Sequence, residues 1–263
     1  MNRIGIWKAI LEIESGNGLG ALCTVIRAQG STPRHAGSKM LVYENGSILG
    51  SVGGGELESR VLAEARLAMQ ESRPRLLKYS MVDPSQGDPG VCGGTVEVFV
   101  EPITPKPTLV VVGGGHVGKA VAHLAHWLGF YVVVSDDRPE YCNPEAVPDA
   151  DQYILGPFAD LTRHLKIRAN TFFVLTTRNV EIDVPGLPAI LDSPAAYIGV
   201  IGSKRRWATT RQILLDKGIK PEILDRVRSP MGVDISAETP EEIAVSIMAE
   251  VIAYLRSGGR HVA

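Results

Sequence analysis

The chain has 263 residues, 44% hydrophobic and 21% charged, enough for one large or two modest globular domains with real cores. Its 27 basic and 29 acidic side chains leave a net charge of −2, so nothing in the overall balance pulls toward nucleic acid or anionic lipid. No apolar run reaches the ~18–20 residues of a membrane span, and Glu12 and Glu14 fall where a signal peptide needs its apolar stretch. Three scattered cysteines (Cys23, Cys92, Cys142) offer neither a disulfide framework nor a CxxC pair, so a cytoplasmic protein with reduced thiols is expected.

The first hundred residues read as an α+β unit. An amphipathic helix over about Gly5 to Glu14 leads into Leu19–Ala28, a strand rich in β-branched residues. Lys39–Glu44 and Ser47–Leu49 flank Asn45-Gly46, a pair that predicts a hairpin closed by a type I′ turn, because both residues tolerate positive φ. Glu58 to Met69 has helical spacing, and Leu76–Ser80 and Thr95–Glu101 read as further strands. Between these elements lie glycine-rich segments. Gly30-Ser-Thr-Pro-Arg-His-Ala-Gly-Ser-Lys39 sets Ser31, Arg34 and Lys39 between strands. Gly50-Ser-Val-Gly-Gly-Gly-Glu56 carries Ser51, Gly53, Gly54 and Gly55 from a strand into a helix, presenting backbone amides at a positive helix end. Together they predict an anion site in which Arg34 is a bidentate fork and Lys39 a point charge. The alternative is that three glycines simply ease a sharp turn. Glu56 and Glu58 either cap the helix or bond the donor edge of a heterocycle. Cys92, in Gly90-Val-Cys-Gly-Gly94, has no apolar neighbours to bury it; it is either idle or a reactive or metal-contacting thiolate.

Glu101-Pro-Ile-Thr-Pro-Lys-Pro107 holds three prolines in seven positions, which neither helix nor central strand tolerates. It divides the chain into domains 1–104 and 105–263. Beyond it, strands and helices alternate. Thr108–Val112 is wholly apolar, as in a strand covered on both faces. Gly113-Gly-Gly-His-Val-Gly118 follows, then Lys119–Leu128 at helical spacing, ended by Gly129. Tyr131–Ser135, Tyr153–Leu155, Phe172–Thr176 and Tyr197–Ile201 are further buried strands, with a helix over Ala208–Lys217. The last helix opens at Thr239-Pro-Glu-Glu242, where an N-cap threonine, a first-turn proline and Glu242 spell a capping box. Apolar on most of its surface to about Tyr254, it is expected to pack on the sheet or on a partner subunit. The fold class is therefore α/β, an N-terminal α+β domain followed by a Rossmann-like, doubly wound parallel sheet.

Gly113, Gly115 and Gly118 match G-x-G-x-x-G directly after a strand and at the start of a helix. Asp136 closes the next strand, where an acid accepts from a ribose 2′-OH and repels a 2′-phosphate, favouring NAD over NADP. Read blandly, the same loop is merely tight. No reaction centre stands out beside it: His116 lies inside the loop, and His123 and His126 are expected to pack or face solvent. Lys204-Arg205-Arg206 either clasps an anion or is a solvated helix start.

These motifs resemble the XdhC/CoxI family, accessory proteins for the maturation of xanthine dehydrogenase and related molybdenum hydroxylases. The resemblance is carried by GSTPRHAGSKM at 30–40, GSVGGGELE at 50–58, VCGG at 91–94, VVVGGGHVGKAV at 110–121, DDR at 136–138, YIGVIGSKRR at 197–206 and MGVDISAETPEEIAVSIMAEVIA at 231–253. They occur in order over nearly the whole chain. The resemblance implies a protein that binds newly made molybdenum cofactor, assists its sulfuration and delivers it to an apo hydroxylase, in the service of purine metabolism. It implies a carrier rather than a turnover enzyme, a homodimer, and a cysteine desulfurase as a further partner. On this footing Ser31, Arg34, Lys39, Ser51, Gly53, Gly54 and Gly55 serve the cofactor's phosphate, Glu56 the pterin edge, and Cys92 the molybdenum or its sulfido ligand. Gly113, Gly115, His116, Gly118 and Asp136 hold the same cofactor, or NAD or another nucleotide. The chain departs from the family in one place. Where relatives carry a T-H-x-H-x-x-D-like pattern, it reads Thr176-Thr-Arg-Asn-Val-Glu-Ile-Asp183, with Arg178 and Val180 in place of histidines, so no role of those histidines transfers and Asp183 stands alone. The competing readings are an NAD-dependent oxidoreductase built on the C-terminal domain and an interaction scaffold with a vestigial nucleotide fold.

Overall fold

The computed structural model describes residues 3–81, 89 and 93–257, and the chain divides into two compact units, Met1–Pro105 and Lys106–Ala263. In the first unit, β1 (Gly20–Gln29), β2 (Lys39–Tyr43), β3 (Ile48–Gly50), β4 (Arg75–Ser80) and β5 (Thr95–Ile103) form an antiparallel sheet in the order β3-β2-β1-β5-β4. Successive side chains of a strand point to opposite faces, and both faces here are covered. Ala21, Cys23 and Val25 of β1 join Met40 and Val42 of β2 against Leu57, Val61 and Ala65 of α2 (Gly55–Glu71). Leu22 and Leu41, the alternate positions, pack on Ile6, Ala9 and Ile13 of α1 (Arg3–Ser15).

The β2–β3 hairpin forms where Asn45-Gly46 places it, but not through a type I′ turn. The Gly46 amide donates to the Tyr43 carbonyl at 2.9 Å, and of the two residues only Gly46 is left-handed, at φ 83°. This is the pattern of a longer loop with a bulge glycine. Asn45 contributes through its side chain instead, its Oδ1 accepting from the Ser47 amide at 2.9 Å and the Ser47 hydroxyl at 2.7 Å.

In the second unit, six strands run parallel: β6 (Thr108–Val112), β7 (Tyr131–Asp136), β8 (Gln152–Leu155), β9 (Thr171–Leu175), β10 (Tyr197–Val200) and β11 (Val227–Arg228). Their order is β11-β10-β9-β6-β7-β8, the doubly wound arrangement that the alternating pattern predicts. On one face Leu109, Val111, Val132 and Val134 pack under α3 (His116–Trp127) and α7 (Pro240–Arg256). On the other, Val110, Val112, Phe173 and Leu175 pack under α4 (Val180–Leu191) and α5 (Lys204–Asp216). Helices on both faces explain why the strands are apolar throughout. The capping box of α7 is present, with the Glu242 amide donating to Thr239 Oγ1 at 3.2 Å and Glu242 Oε2 accepting from the Thr239 amide at 3.2 Å. The inward apolar face of α7 packs on α3 and the sheet, while Val245 on the same helix is 51% exposed. Among the described residues, no helix is long and apolar enough to cross a membrane.

Candidate functional site

Strand order reverses between β6 and β9, with β7 and β8 added on one side of β6 and β9 to β11 on the other, and in an open parallel sheet this switch point leaves a crevice at the carboxyl ends of the strands. The glycine loop lies there. The Gly113 amide donates to the Ser135 carbonyl at 2.7 Å, turning the chain from β6 toward α3. Loop and helix come closest at Gly118, where a Cβ would sit 1.9 Å from the Gly113 carbonyl oxygen and 2.8 Å from Thr176 Oγ1. Glycine is therefore obligatory at that position. Beyond it opens a cavity of about 390 Å³, within the size range of small-molecule sites. Gly113, Gly115 and the exposed His116 line one side, and their first-turn amides add positive potential. Val112, Phe158, Ile182 and Pro185 supply apolar walls. Asp137, Arg138, Arg178 and Glu181 supply charge.

The Asp-Asp-Arg run at the end of β7 splits its labour. Asp136 is 5% exposed, and its carboxylate is saturated. Oδ2 accepts from the Gly114 amide at 2.9 Å and from Arg138 Nη2 at 3.0 Å; Oδ1 accepts from the Arg138 amide at 3.0 Å and from Arg138 Nε at 2.9 Å. A carboxylate offers about four acceptor positions, and all are used. Asp136, the expected ribose 2′-OH acceptor, thus has its acceptor positions taken within the chain. Asp136 pins the glycine loop through the Gly114 amide. Arg138 in turn lies 3.9 Å from the centroid of the Tyr141 ring. Asp137 faces outward and is held by Arg178, whose Nη1 donates to Oδ1 at 3.0 Å and Nη2 to Oδ2 at 2.8 Å. Those hydrogen bonds, ahead of the opposing desolvation, hold the Asp137 carboxyl down to about 2.

Beneath Arg178 lies a buried polar network that reading the sequence did not find. Asp183, on the first turn of α4, is fully buried and accepts from the Thr177 hydroxyl through Oδ1. Its Oδ2 takes Arg206 Nη2 at 2.6 Å and Nε at 3.2 Å. Arg206 also donates from Nη1 to the Thr177 carbonyl at 2.9 Å and from Nη2 to Thr177 Oγ1 at 2.8 Å. The anion-clasp reading of Lys204-Arg205-Arg206 thus fails for Arg206, whose fork is spent inside the fold. Lys204 and Arg205 are exposed. So are His123 and His126, the former 2.9 Å from Asp149 Oδ2.

In the first unit the glycine segments do converge. A Cβ on Gly53 would lie 3.1 Å from the Pro33 ring, and one on Gly94 would lie 2.3 Å from the Ser31 carbonyl oxygen. The anion cradle, however, holds the chain's own Glu58. Glu58 Oε1 accepts from the Ser51 hydroxyl and from the amides of Val52 at 3.2 Å, Gly53 at 3.4 Å and Gly54 at 2.9 Å. Burial alone would raise this carboxyl, but the Ser51 hydroxyl and the Gly54, Gly53 and Val52 amides outweigh it and hold Glu58 below the usual range. The donors of Ser51, Gly53 and Gly54 that were expected to serve a phosphate thus face the Glu58 carboxylate; Gly55 opens α2 with nothing facing its α-carbon. Glu56 lies outside the cradle, exposed and paired with Arg60. Lys39 is not a free cation either. Its Nζ donates to Thr24 Oγ1 at 3.0 Å and sits 5.8 Å from the Trp7 ring centroid. Ser31 and Arg34 are exposed, and Cys92 lies outside the described residues.

With this geometry in hand, comparison with known proteins is informative. Residues 109–251 match the XdhC Rossmann domain, and residues 16–80 match the XdhC and CoxI family. The uncharacterized protein YqeB of Escherichia coli is 35% identical over 251 residues, which are 95% of this chain and 46% of YqeB, so the chain spans about half the length of that relative. The molybdenum cofactor insertion chaperone PaoD of Escherichia coli is 24% identical over 92% of this chain and 85% of its own. Among solved structures, a xanthine dehydrogenase from Bacillus halodurans is 26% identical with a TM-score of 0.52, covering 98% of this chain and 96% of that one.

Proposed function

The chain belongs to the XdhC and CoxI family, and from that premise we propose that it is an accessory protein that holds molybdenum cofactor as cargo and passes it to an apo hydroxylase of the xanthine dehydrogenase type. The observation that carries this reading is the cavity at the switch point, built on the matched Rossmann domain and rimmed by two guanidinium groups. Its composition suits the cargo. A pterin needs apolar walls and a few convergent polar groups, available here from Phe158, Pro185 and Glu181. Its terminal phosphate needs a cation with bidentate reach and a positive helix end, available from Arg178 and the Gly115–His116 turn. Assistance in sulfuration, with a cysteine desulfurase as partner, a homodimeric state and a soft contact from Cys92 to molybdenum belong to the same proposal. For the first unit taken by itself, the exposed Ser31 and Arg34 are proposed as anion contacts near the convergent glycine segments. The relatives' names support the role: one is an insertion chaperone for this cofactor, and another is assigned to xanthine dehydrogenase. The alternative, an oxidoreductase using NAD, would need Asp136 to exchange an intrachain partner for a ribose hydroxyl.

The reading is tested by purifying the protein from a host that makes the cofactor and releasing bound pterin as its fluorescent oxidation product. Roughly one pterin per chain is expected, together with activation of apo hydroxylase on mixing. Cys92→Ser and Arg34→Ala are expected to lower retention. Intact protein that neither carries pterin nor activates the hydroxylase would remove the proposal.

A further inference from the structure

The two aspartate–arginine pairs at the cavity rim are chemically unequal. Asp136–Arg138 is locked, because every acceptor position of Asp136 is filled and its release would also free the Gly114 amide. Asp137–Arg178 is open to exchange. Its side chains are 42% and 43% exposed, and an ion pair in that setting adds little to stability. It spans from the end of β7 to the end of β9, on either side of β6, and both of its members line the cavity. The backbone that carries Arg178 is fixed. Arg206 holds the carbonyls on both sides of it, Thr177 at 2.9 Å and Asn179 at 3.3 Å, and the Thr177 hydroxyl is tied to the buried Asp183. The mount is rigid and the head is exchangeable.

We propose that Arg178 is the residue by which the cavity selects its ligand, and that the ligand's phosphomonoester takes the place of the Asp137 carboxylate on the guanidinium fork. This rests on the cavity being the cargo site and names the part of the cargo that it grips. The swap exchanges one oxyanion for another in the same bidentate geometry, while the second charge of the phosphate meets the positive end of α3. Asp137 is then an internal competitor: it keeps Arg178 extended across the cavity and sets a threshold that a weaker anion does not cross.

The test uses the full chain and inorganic phosphate as the probe, titrated calorimetrically at fixed ionic strength. Asp137→Asn is expected to bind phosphate roughly 1.5- to 5-fold more tightly, the range set by an exposed competing pair. Arg178→Gln is expected to bind at least about ten-fold more weakly, with Arg178→Lys between it and the wild type, having kept the charge and lost the fork. A gain of affinity in Asp137→Asn has no explanation in misfolding. Phosphate binding unaffected by Arg178→Gln, an Asp137→Asn protein no tighter than wild type, acetate binding as tight as phosphate, or no phosphate binding by any of these proteins each overturns the proposal. Failure of the carrier role is read separately. Pterin retained equally by the wild type and Arg178→Gln removes selection by Arg178 and leaves the carrier, whereas the expected phosphate series with no pterin retained by the wild type removes the carrier alone.

Discussion

Asp136 and Asp137 are neighbours of the same type with opposite accessibility, and no single-residue rule separates them. An acid at the end of the strand after a glycine loop was legible, and so was the loop itself, because the motif, its strand and its helix occur in one short stretch. What could not be read was the occupancy of the lone pairs, since it depends on Arg138 folding back and on the Gly114 amide arriving from another strand. For Glu58 the cap reading holds, since it accepts from the amide of the N-cap residue Gly54; the further bonds to the Ser51 hydroxyl and the Val52 and Gly53 amides depend on how the preceding loop folds back. Asp183 appeared as an isolated acid because its partner, Arg206, lies on the next helix, and only the packing of α4 beside α5 joins them. Removing one member of a buried pair strands the other. Asp183→Ala is therefore expected to destabilise the protein by about 3–5 kcal/mol in urea titration, whereas Asp183→Ala combined with Arg206→Met should cost markedly less. A single variant as stable as the wild type would show that the network carries no such energy.

At the level of elements, strands and helices with uninterrupted apolar periodicity were legible and α4 was not. Val180–Leu191 contains Pro185, Gly186 and Pro188, each unfavourable in a helix interior. Packing compensates: Gly186 lies flat against the Phe158 ring, where a Cβ would be 1.9 Å from Cδ1. Asn179 caps the start by accepting from the Ile182 amide at 3.2 Å. The hairpin was placed correctly while its turn type was not, because two residues announce a reversal but the length of the loop is set by cross-strand register. The α7 cap was written locally and appears as read. Replacing Thr239 by Ala removes an acceptor from the first turn and is expected to cost about 1 kcal/mol, with Thr239→Ser near wild type. Equal urea midpoints for the Ala and Ser variants would rule out a contribution from the cap hydroxyl.

For the whole molecule, the division into an antiparallel and a parallel sheet follows from two readable patterns, the Asn45-Gly46 hairpin signal in the first and strands alternating with helices in the second. The groups with displaced protonation set the pH range of stability. Glu58 and Asp137 lie below their ordinary values. The stabilisation from Glu58 is therefore complete above the unfolded carboxyl range of about 4 and is lost as pH falls through its folded value, while the exposed Asp137–Arg178 pair adds little. Cys23 behaves oppositely. Burial pushes its thiol up to about 12 from 9.0, so the unfolded chain sheds that proton first and stability declines as pH rises from about 9 toward 12. Urea midpoints should be flat between about pH 5 and 8 and fall at both ends. Cys23→Ala should soften the alkaline slope, and an alkaline slope unchanged in that variant would refute the assignment.

The carboxylate of Glu58 seated among the Ser51–Gly54 donors has a consequence for how the first unit meets its surroundings. A loop that brings its own counter-ion needs none from the medium. Sulfate or chloride gains entry only by displacing a tethered carboxylate.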